Sequence, residues 1–358
     1  MSERKLNFSS GPAVLPDQVL RASQQALWDL DGTGIGILEH SHRGKEFGAV
    51  LDRAEARVRA VADIPDDYAI LFLTSGATVQ FSMVPANFLD GGVADYCHTG
   101  VWSGKAIEEA RRHGTPHVAC SAQASNFSTI PTSCEWSAAP RYVHFTSNNT
   151  IYGTQWATEP AAPAGVPLIC DASSDLFSRP IDIRKYGLIY ASAQKNLGPP
   201  GVTLVIARRA LIATGHKDLP PLSQYRTYER ERSMHNTPNT FGVYVIAEVM
   251  EWILREGGLA EMERRNRAKA DLLYGFLDQS QLWRAHAQPG SRSAMNVTFR
   301  GASAAHEERL LELAEARGMS GLRGHRSVGG MRASIYNAFP LHGVERLVQT
   351  LSDVERGS

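Results

Sequence analysis

From residue 187 to residue 200 the chain reads Gly187-Leu188-Ile189-Tyr190-Ala191-Ser192-Ala193-Gln194-Lys195-Asn196-Leu197-Gly198-Pro199-Pro200. The apolar first part predicts a buried β-strand, and the glycine and prolines at the end predict a turn. Lys195 stands between them, although an unpaired ammonium in a buried position costs considerable free energy. This placement indicates that Lys195 has a specific chemical role.

A second apolar run delivers a charged residue in the same way. Residues 166–170 read Val-Pro-Leu-Ile-Cys and lead directly to Asp171. An acid and then a lysine, each at the carboxyl end of a buried strand, is what a pyridoxal-phosphate enzyme requires. The aspartate keeps the pyridine nitrogen protonated, and the lysine forms the Schiff base. Asp171 and Lys195 are therefore the predicted catalytic pair.

Seven short apolar runs alternate with helical patterns in the first two thirds of the chain. The predicted strands are Tyr68–Leu73, Gly92–Tyr96, His117–Cys120, Arg141–Phe145, Pro167–Cys170, Gly187–Ala191 and Gly201–Ala207. Such alternation is typical of an α/β domain with a mostly parallel sheet, and ligands bind beyond the carboxyl ends of its strands. One of the intervening helices is predicted over Gly104–Arg112.

The pattern changes after about Gly257 and predicts a smaller α+β domain. Its helices are expected over Leu259–Leu277, Ala304–Arg317 and Leu341–Val354, and its strands over Ala294–Phe299 and Met331–Tyr336. We therefore expect a large domain of residues 16–257, and a small domain of residues 1–15 and 258–358.

The composition and charge of the chain argue against several classes of function. The 358 residues carry 37 Lys+Arg and 37 Asp+Glu, so nothing in the net charge favours nucleic acid or an anionic membrane. No apolar run is long enough to span a bilayer, and no secretory signal is visible. The four cysteines form no C-x-x-C pair, which argues against a structural zinc site or a disulfide framework. We predict a cytoplasmic enzyme with reduced thiols and no metal.

Three polar turns follow predicted strands and are candidates for cofactor binding. The Thr-Ser-Gly-Ala-Thr turn 74–78 suits a phosphate, since small residues at a helix N-terminus let backbone N–H groups approach an anion. Trp102 could stack on a cofactor ring, and the hydroxyl of Thr150 could face its phenolic oxygen. Each also has a purely structural interpretation, as a helix cap, a core aromatic or a turn residue.

Two His-Arg pairs, His42-Arg43 and His325-Arg326, lie near opposite ends of the chain. Each alone is more often a solvated surface patch. Together with Arg332 they would suit an anionic substrate, because arginine donates two hydrogen bonds at once to a carboxylate or phosphate.

The chain resembles the phosphoserine aminotransferases, a class-V family of the aspartate-aminotransferase fold type (type I). The resemblance spans nearly the whole chain. It rests on Asn7–Ala13 (Asn-Phe-Ser-Ser-Gly-Pro-Ala), Ser41–Arg43, Asp171–Ile183, Ala193–Asn196, Asn236–Pro238 and Gly324–Asn337. The last segment is the most specific, because it separates this family from other aminotransferases of similar fold.

The resemblance implies a role for each matching residue. Lys195 is expected to bond the cofactor, Asp171 to pair with the pyridinium, Trp102 to stack on the ring and Thr150 to contact the phenolic oxygen. The phosphate is expected to contact Gly76, Ala77 and Gln194, together with Asn236 and Thr237 of a second subunit. The substrate's carboxylate and phosphate are expected to contact Ser9, His42, Arg43, His325, Arg326 and Arg332.

The implied reaction is reversible amino transfer between L-glutamate and 3-phosphohydroxypyruvate, giving O-phospho-L-serine and 2-oxoglutarate, in a homodimer with shared sites. The related 4-phosphohydroxy-L-threonine of pyridoxine biosynthesis is left open as a further substrate. Other readings are a class-V aminotransferase or lyase acting on an unphosphorylated amino acid, and a non-catalytic binding protein. Asn236-Thr237-Pro238 could also be only a turn that caps a helix over Phe241–Glu256, for which Thr237 and Asn239 are adequate caps.

Overall fold

The computed structural model describes residues 4–357 and contains ten α-helices and fourteen strands over that range. The strands are β1 Leu6–Asn7, β2 Tyr68–Leu73, β3 Val93–His98, β4 Thr115–Ser121, β5 Val143–Thr146, β6 Asn148–Asn149, β7 Thr154–Gln155, β8 Leu168–Asp171, β9 Leu188–Ser192, β10 Thr203–Arg208, β11 Trp283–Ala285, β12 Asn296–Gly301, β13 Met319–Ser320 and β14 Met331–Ser334. The helices are α1 Asp17–Trp28, α2 Lys45–Val61, α3 Thr78–Phe88, α4 Val101–Ala110, α5 Arg209–Thr214, α6 Tyr225–Arg230, α7 Thr240–Arg255, α8 Gly258–Gln279, α9 Ala304–Ala316 and α10 Leu341–Arg356.

A seven-stranded sheet forms the centre of the fold, in the order β2-β10-β9-β8-β5-β3-β4. Neighbouring strands are parallel except β10, which runs antiparallel to both β2 and β9. These are the seven strands that the sequence predicts. β2 has the predicted bounds, and the others differ by one or two residues at each end. The predicted α/β class is therefore confirmed.

Helices cover both faces of this sheet, which explains why its strands are apolar throughout. On β2, Ile70 and Phe72 face one core with residues of α2 and α7, whereas Leu71 and Leu73 face a second core with residues of α3 and α4. Side chains alternate between the faces of a strand, so each face requires its own apolar set.

A three-stranded antiparallel sheet, β11-β12-β14, packs with α8, α9 and α10 and has its own hydrophobic core. Its core also includes Leu6 and Phe8, because β1 pairs in parallel with β13. Leu6 and Phe8 thus pack with elements of the last hundred residues. The exact domain boundaries stay a prediction. β11 was not among the predicted strands, since its three residues are too few for a periodic signal.

Two sequence predictions need correction. The helix expected over Gly104–Arg112 begins at Val101, which brings Trp102 into its first turn. The prediction that all four thiols are reduced is wrong, because Cys120 and Cys134 form a disulfide with a Cα–Cα distance of 4.7 Å. Strand β4 and the segment after it bring these two residues together, and their spacing in sequence carries no sign of it. Among residues 4–357, no helix is both long and apolar enough to cross a bilayer.

Candidate active site

Asp171 and Lys195 lie at the carboxyl edge of the central sheet and line one cavity of about 320 Å³. Asp171 is the last residue of β8, and Lys195 follows the end of the neighbouring strand β9. Within residues 4–357, no ion pair within 4.0 Å joins the two side chains, and Lys195 has no hydrogen-bond partner. The acid and the amine are thus close enough to interact by charge and far enough apart to admit a ligand.

The surroundings of Lys195 favour its neutral amine. Burial lowers the pKa of Lys195 from 10.5 to about 8, and the positive charge of Arg332 acts in the same direction, whereas the negative charges of Asp171 and Asp175 oppose it. A pKa near 8 leaves about a tenth of this lysine as free amine at pH 7, compared with well under a thousandth of an ordinary lysine. Lys195 is therefore suited to act as a nucleophile and a base near neutral pH.

Asp171 is almost completely buried, and burial raises its pKa. One carboxylate oxygen, Oδ1, accepts a hydrogen bond of 3.0 Å from the backbone N–H of Ser173, and this bond and the charge of Lys195 oppose the effect of burial. The side chain of Ser173 also acts on this carboxylate as a hydrogen-bond donor. A buried carboxylate that lines a cavity fits a ligand that presents an N–H group.

A hydrogen bond joins the side chains of Trp102 and Thr150, which both line the cavity. The indole Nε1–H donates to the Thr150 hydroxyl oxygen at 2.9 Å, so the threonine O–H is left free to donate to a ligand. The Lys195 Nζ lies 5.8 Å from the centroid of the Trp102 ring. The hydroxyl of Ser103 accepts the N–H groups of Thr99 and Gly100 at 3.0 Å each, which caps α4 and orients the turn that carries Trp102.

The turn between β2 and α3 lines the cavity and is suited to bind an anion. Gly76, Ala77 and Thr78 line it at the N-terminus of an eleven-residue helix, where the helix dipole is positive. A Cβ added to Gly76 would have no atom within 4 Å, so the backbone there is open to a ligand. The Ser192 hydroxyl donates to Gln194 Oε1 at 2.5 Å. That bond fixes the amide group of Gln194 beside the turn.

The substrate end of the cavity is cationic. Among the described residues, Asp171 is the only acid that lines the cavity, and Lys195 and Arg332 are the basic side chains that line it. Arg332 donates from Nη1 to the carbonyl of Thr150 at 3.4 Å, while its buried Nε–H has no partner. Burial lowers the pKa of His325, and the charges of Arg332, Arg326 and Lys105 lower it further. A buried donor without a partner among uncompensated positive charges fits an anionic ligand.

The sequence reasoning missed several residues of this cavity. They are Ser10, Gly11, Phe81, Thr146, Asn148, Ile151, Ser173, Ser174 and Ser192. Gly11 packs so closely on the strand end that an added Cβ would lie 3.2 Å from Gln194 and 3.4 Å from Lys195. The φ of +131° at Gly11 also favours glycine. The Asn-Phe-Ser-Ser-Gly-Pro-Ala motif could have indicated Ser10 and Gly11. The other residues carry no separate signal.

Six of the predicted site residues do not line the cavity of a single chain: Ser9, His42, Arg43, Asn236, Thr237 and Arg326. Ser9 lies against Gly321, next to the lining residue Ser10. Arg43 and Thr237 are exposed. Arg43 is close enough to Glu231 for its charge to lower the pKa of that carboxyl. The side chain of Asn239 caps α7 by accepting the Gly242 N–H at 2.8 Å, so neither Asn236 nor Thr237 is the helix cap.

Comparisons with known proteins agree with this geometry. The family model "Aminotransferase class-V" matches residues 5–347. The chain is 49% identical to the phosphoserine aminotransferase of Herpetosiphon aurantiacus, over 97% of both chains. The solved structure of phosphoserine aminotransferase from Bacillus circulans subsp. alkalophilus is 46% identical and superposes with a TM-score of 0.97 over 99% of both chains. The PLP-bound phosphoserine aminotransferase of Trichomonas vaginalis is 33% identical, with a TM-score of 0.92 over 98% of this chain and 100% of that one.

Proposed function

Because this chain belongs to the class-V aminotransferase family, we propose that it is a pyridoxal-phosphate-dependent phosphoserine aminotransferase. The proposed reaction is reversible amino transfer between L-glutamate and 3-phosphohydroxypyruvate, giving O-phospho-L-serine and 2-oxoglutarate. The observation that carries the proposal is the unpaired Lys195 amine, which faces the same cavity as the buried Asp171 carboxylate and the cationic end at Arg332.

The residues present fit pyridoxal phosphate. The Asp171 carboxylate lines the cavity and suits a protonated pyridine nitrogen, and the free O–H of Thr150 suits a phenolic oxygen. The N-terminus of α3 suits the phosphate group. When bound, this cofactor supplies an aldehyde that takes up the amino group and a ring that withdraws electrons from the α-carbon.

Lys195 has two tasks in this reaction. Its amine would hold the cofactor through the aldehyde carbon, with release of water, and after displacement by an incoming amino acid the same amine would take up the α-proton and return it. Both tasks require the neutral form. The lowered pKa of about 8 supplies that form near physiological pH.

Asp171 and Trp102 act on the ring. The Asp171 carboxylate would hold a positive charge on the pyridine nitrogen, and hydrogen bonds from Ser173 oppose the rise in its pKa that burial causes. The Trp102 indole, fixed by its hydrogen bond to Thr150, offers a flat apolar surface that positions the ring and excludes water from one face.

The substrates are recognised by charge. Both amino-acid substrates carry an α-carboxylate and a second anionic group, and Arg332, His325 and Arg326 are the proposed partners. A phosphate uses more charge-assisted hydrogen bonds than a side-chain carboxylate, so a strongly basic end favours the phosphorylated substrate. The positive charges of Arg332, Arg326 and Lys105 all act on His325 at this end, and this concentration of cations supports that choice over an unphosphorylated amino acid. Use of 4-phosphohydroxy-L-threonine would rest on the same groups.

We further propose that the active species is a homodimer with shared sites. His42, Arg43, Asn236 and Thr237 do not line their own chain's cavity. Two large apolar side chains that precede His42 and Arg43 in the sequence are exposed, Trp28 by 83% and Leu38 by 65%. Such a surface is typical of an interface, and a symmetric dimer would bring these groups to the partner's cavity. The cytoplasm is the proposed compartment, and its reducing conditions would keep Cys120 and Cys134 as thiols rather than as the disulfide.

Subunit mixing tests the shared site. A Lys195→Ala chain and a chain carrying Asn236→Ala and Thr237→Ala are each expected to be inactive or nearly so. Exchange of subunits should restore activity, because one site of the mixed dimer combines the intact Lys195 of one chain with the intact loop of the other. Absence of recovery despite a demonstrated mixed dimer would place both sets of residues in one chain.

A spectrum of the purified holoenzyme tests the reaction. Addition of L-glutamate should convert the absorbance of lysine-bound cofactor to that of the pyridoxamine form, and 3-phosphohydroxypyruvate should reverse the change with formation of O-phospho-L-serine. Pyruvate serves as the matched acceptor without phosphate and should reverse it far more slowly. Equal rates with the two acceptors would contradict the phosphorylated substrate, and no change with glutamate would contradict amino transfer.

A further inference from the structure

Three of the four cysteines form a sulfur cluster outside the active site. Cys97 is fully buried on β3, Cys120 lies on the adjacent edge strand β4, and Cys134 belongs to the segment that follows β4. Cys97 and Cys120 are paired neighbours in the two strands. The Cys97 Sγ lies 3.9 Å from the Cys134 Sγ, and all three sulfur atoms lie within 4.8 Å of one another.

This spacing is close to that of a three-thiolate metal site. With Zn–S bonds of about 2.3 Å, sulfur ligands of one ion lie roughly 3.8–4.0 Å apart. The Cys97–Cys134 distance of 3.9 Å already matches that value. Only the Cys120 and Cys134 sulfurs, bonded in the oxidised form, would have to separate, and reduction of their disulfide removes the bond that holds them together.

The surroundings of the cluster also suit a cation. The buried carboxylate of Asp95 lies two residues before Cys97 on the same face of β3. The negative charge of this carboxylate stabilises a positive ion at that place. Cys120 and Cys134 are only partly buried, so an ion can enter from the edge of the sheet. Cysteine sulfur prefers thiophilic cations such as Zn²⁺ over harder ones.

We propose that Cys97, Cys120 and Cys134, once the Cys120–Cys134 disulfide is reduced, bind one thiophilic d¹⁰ cation of the Zn²⁺ class. An external dithiol reduces the bond to two thiols and is itself oxidised to a disulfide. The ion then replaces the protons of the coordinating thiols, which are released to solvent. The site is independent of the proposed amino transfer. It holds the segment after β4 against the sheet in the reduced protein, as the disulfide does in the oxidised protein.

The test is zinc binding by the reduced holoenzyme, freed of reductant without exposure to air. Titration against a chromophoric zinc chelator should show one ion per chain, and Cd²⁺ should give the ultraviolet thiolate-to-metal charge-transfer band. Cys97→Ser, Cys120→Ser and Cys134→Ser should each weaken binding by more than the roughly 10- to 100-fold that loss of an outer-shell partner costs. Cys170→Ser, which removes the buried cysteine outside the cluster, should bind as the wild type does.

The oxidised wild type should bind no zinc. If a serine variant fails to fold, thiol alkylation of the wild type followed by mass spectrometry replaces it, since bound zinc should slow modification of Cys120 and Cys134. The proposal is overturned if reduced protein binds no stoichiometric ion, if zinc leaves alkylation unchanged, or if a folded Cys97→Ser variant binds as tightly as the wild type.

Discussion

The pKa of Lys195 can be tested directly, because two neighbours act on it with opposite signs. The Asp171 carboxylate raises this pKa and the Arg332 guanidinium lowers it, while burial sets the overall value near 8. We therefore expect Asp171→Asn to move the pKa of Lys195 below that value, and Arg332→Gln to move it above. The wild-type shift from 10.5 corresponds to about 3 kcal/mol in favour of the neutral amine.

Trace acetylation of the cofactor-free protein, followed by peptide mass mapping at a series of pH values, measures this pKa for each lysine. At pH 8 about half of Lys195 is free amine, compared with roughly 0.4% of an ordinary lysine of pKa about 10.4. After normalisation to each residue's plateau at high pH, labelling of Lys195 at pH 8 should exceed that of exposed lysines about 100-fold. The exposed lysines of the same sample are the internal control.

Two results would refute this reasoning. A wild-type midpoint near pH 10 would mean that burial does not govern the amine. Shifts of the same sign in Asp171→Asn and Arg332→Gln would mean that the variants act through a common structural change. Borohydride reduction of the holoenzyme provides an independent check, because it should attach the cofactor to Lys195 and to no other lysine.

Three further predictions concern specificity and stability. Replacing His325 and Arg326 by Ala should weaken O-phospho-L-serine binding about 10- to 100-fold for each charge-assisted hydrogen bond lost, with a smaller effect on L-glutamate. Steady-state kinetics with both substrates measure the difference, and equal losses would indicate a general defect of the variant. Ser103→Ala should lower the free energy of unfolding in urea by about 1 kcal/mol, because it removes the cap of the helix that carries Trp102, whereas Ser103→Thr should retain most of it. Burial lowers the pKa of Lys269 to about 7. Between pH 7 and about 10 the unfolded chain therefore keeps a proton on this lysine that the folded chain has released. The free energy of unfolding should accordingly rise by up to about 2 kcal/mol between pH 7 and pH 9. Lys269→Met should remove this rise, and an unchanged pH dependence in the variant would exclude Lys269 as its source.

Most strands of the central sheet could be located from the sequence because they are buried on both faces, whereas the edge strand β4 is only partly buried. Continuous apolar runs such as Tyr68–Leu73 are a local signal that needs no knowledge of the rest of the chain. Asp171 and Lys195 were recognisable for the same reason, since each is a charged residue directly after such a run. Trp102 and Thr150 were recognisable as residues of turns that follow predicted strands, and the family resemblance assigned roles to them and to Arg332.

The remaining features depend on contacts between residues far apart in sequence. The sulfur cluster joins Cys97 to Cys120 across paired strands and to Cys134 through the segment that follows, and no spacing rule relates the three. Gly11 meets Lys195 only because the first strand pairs with β13 and carries the chain back to the sheet edge. His42 and Asn236, with good family matches, do not line their own chain's cavity. Hydrophobic periodicity reports which side of an element is buried, whereas strand order and loop paths decide which buried sides meet.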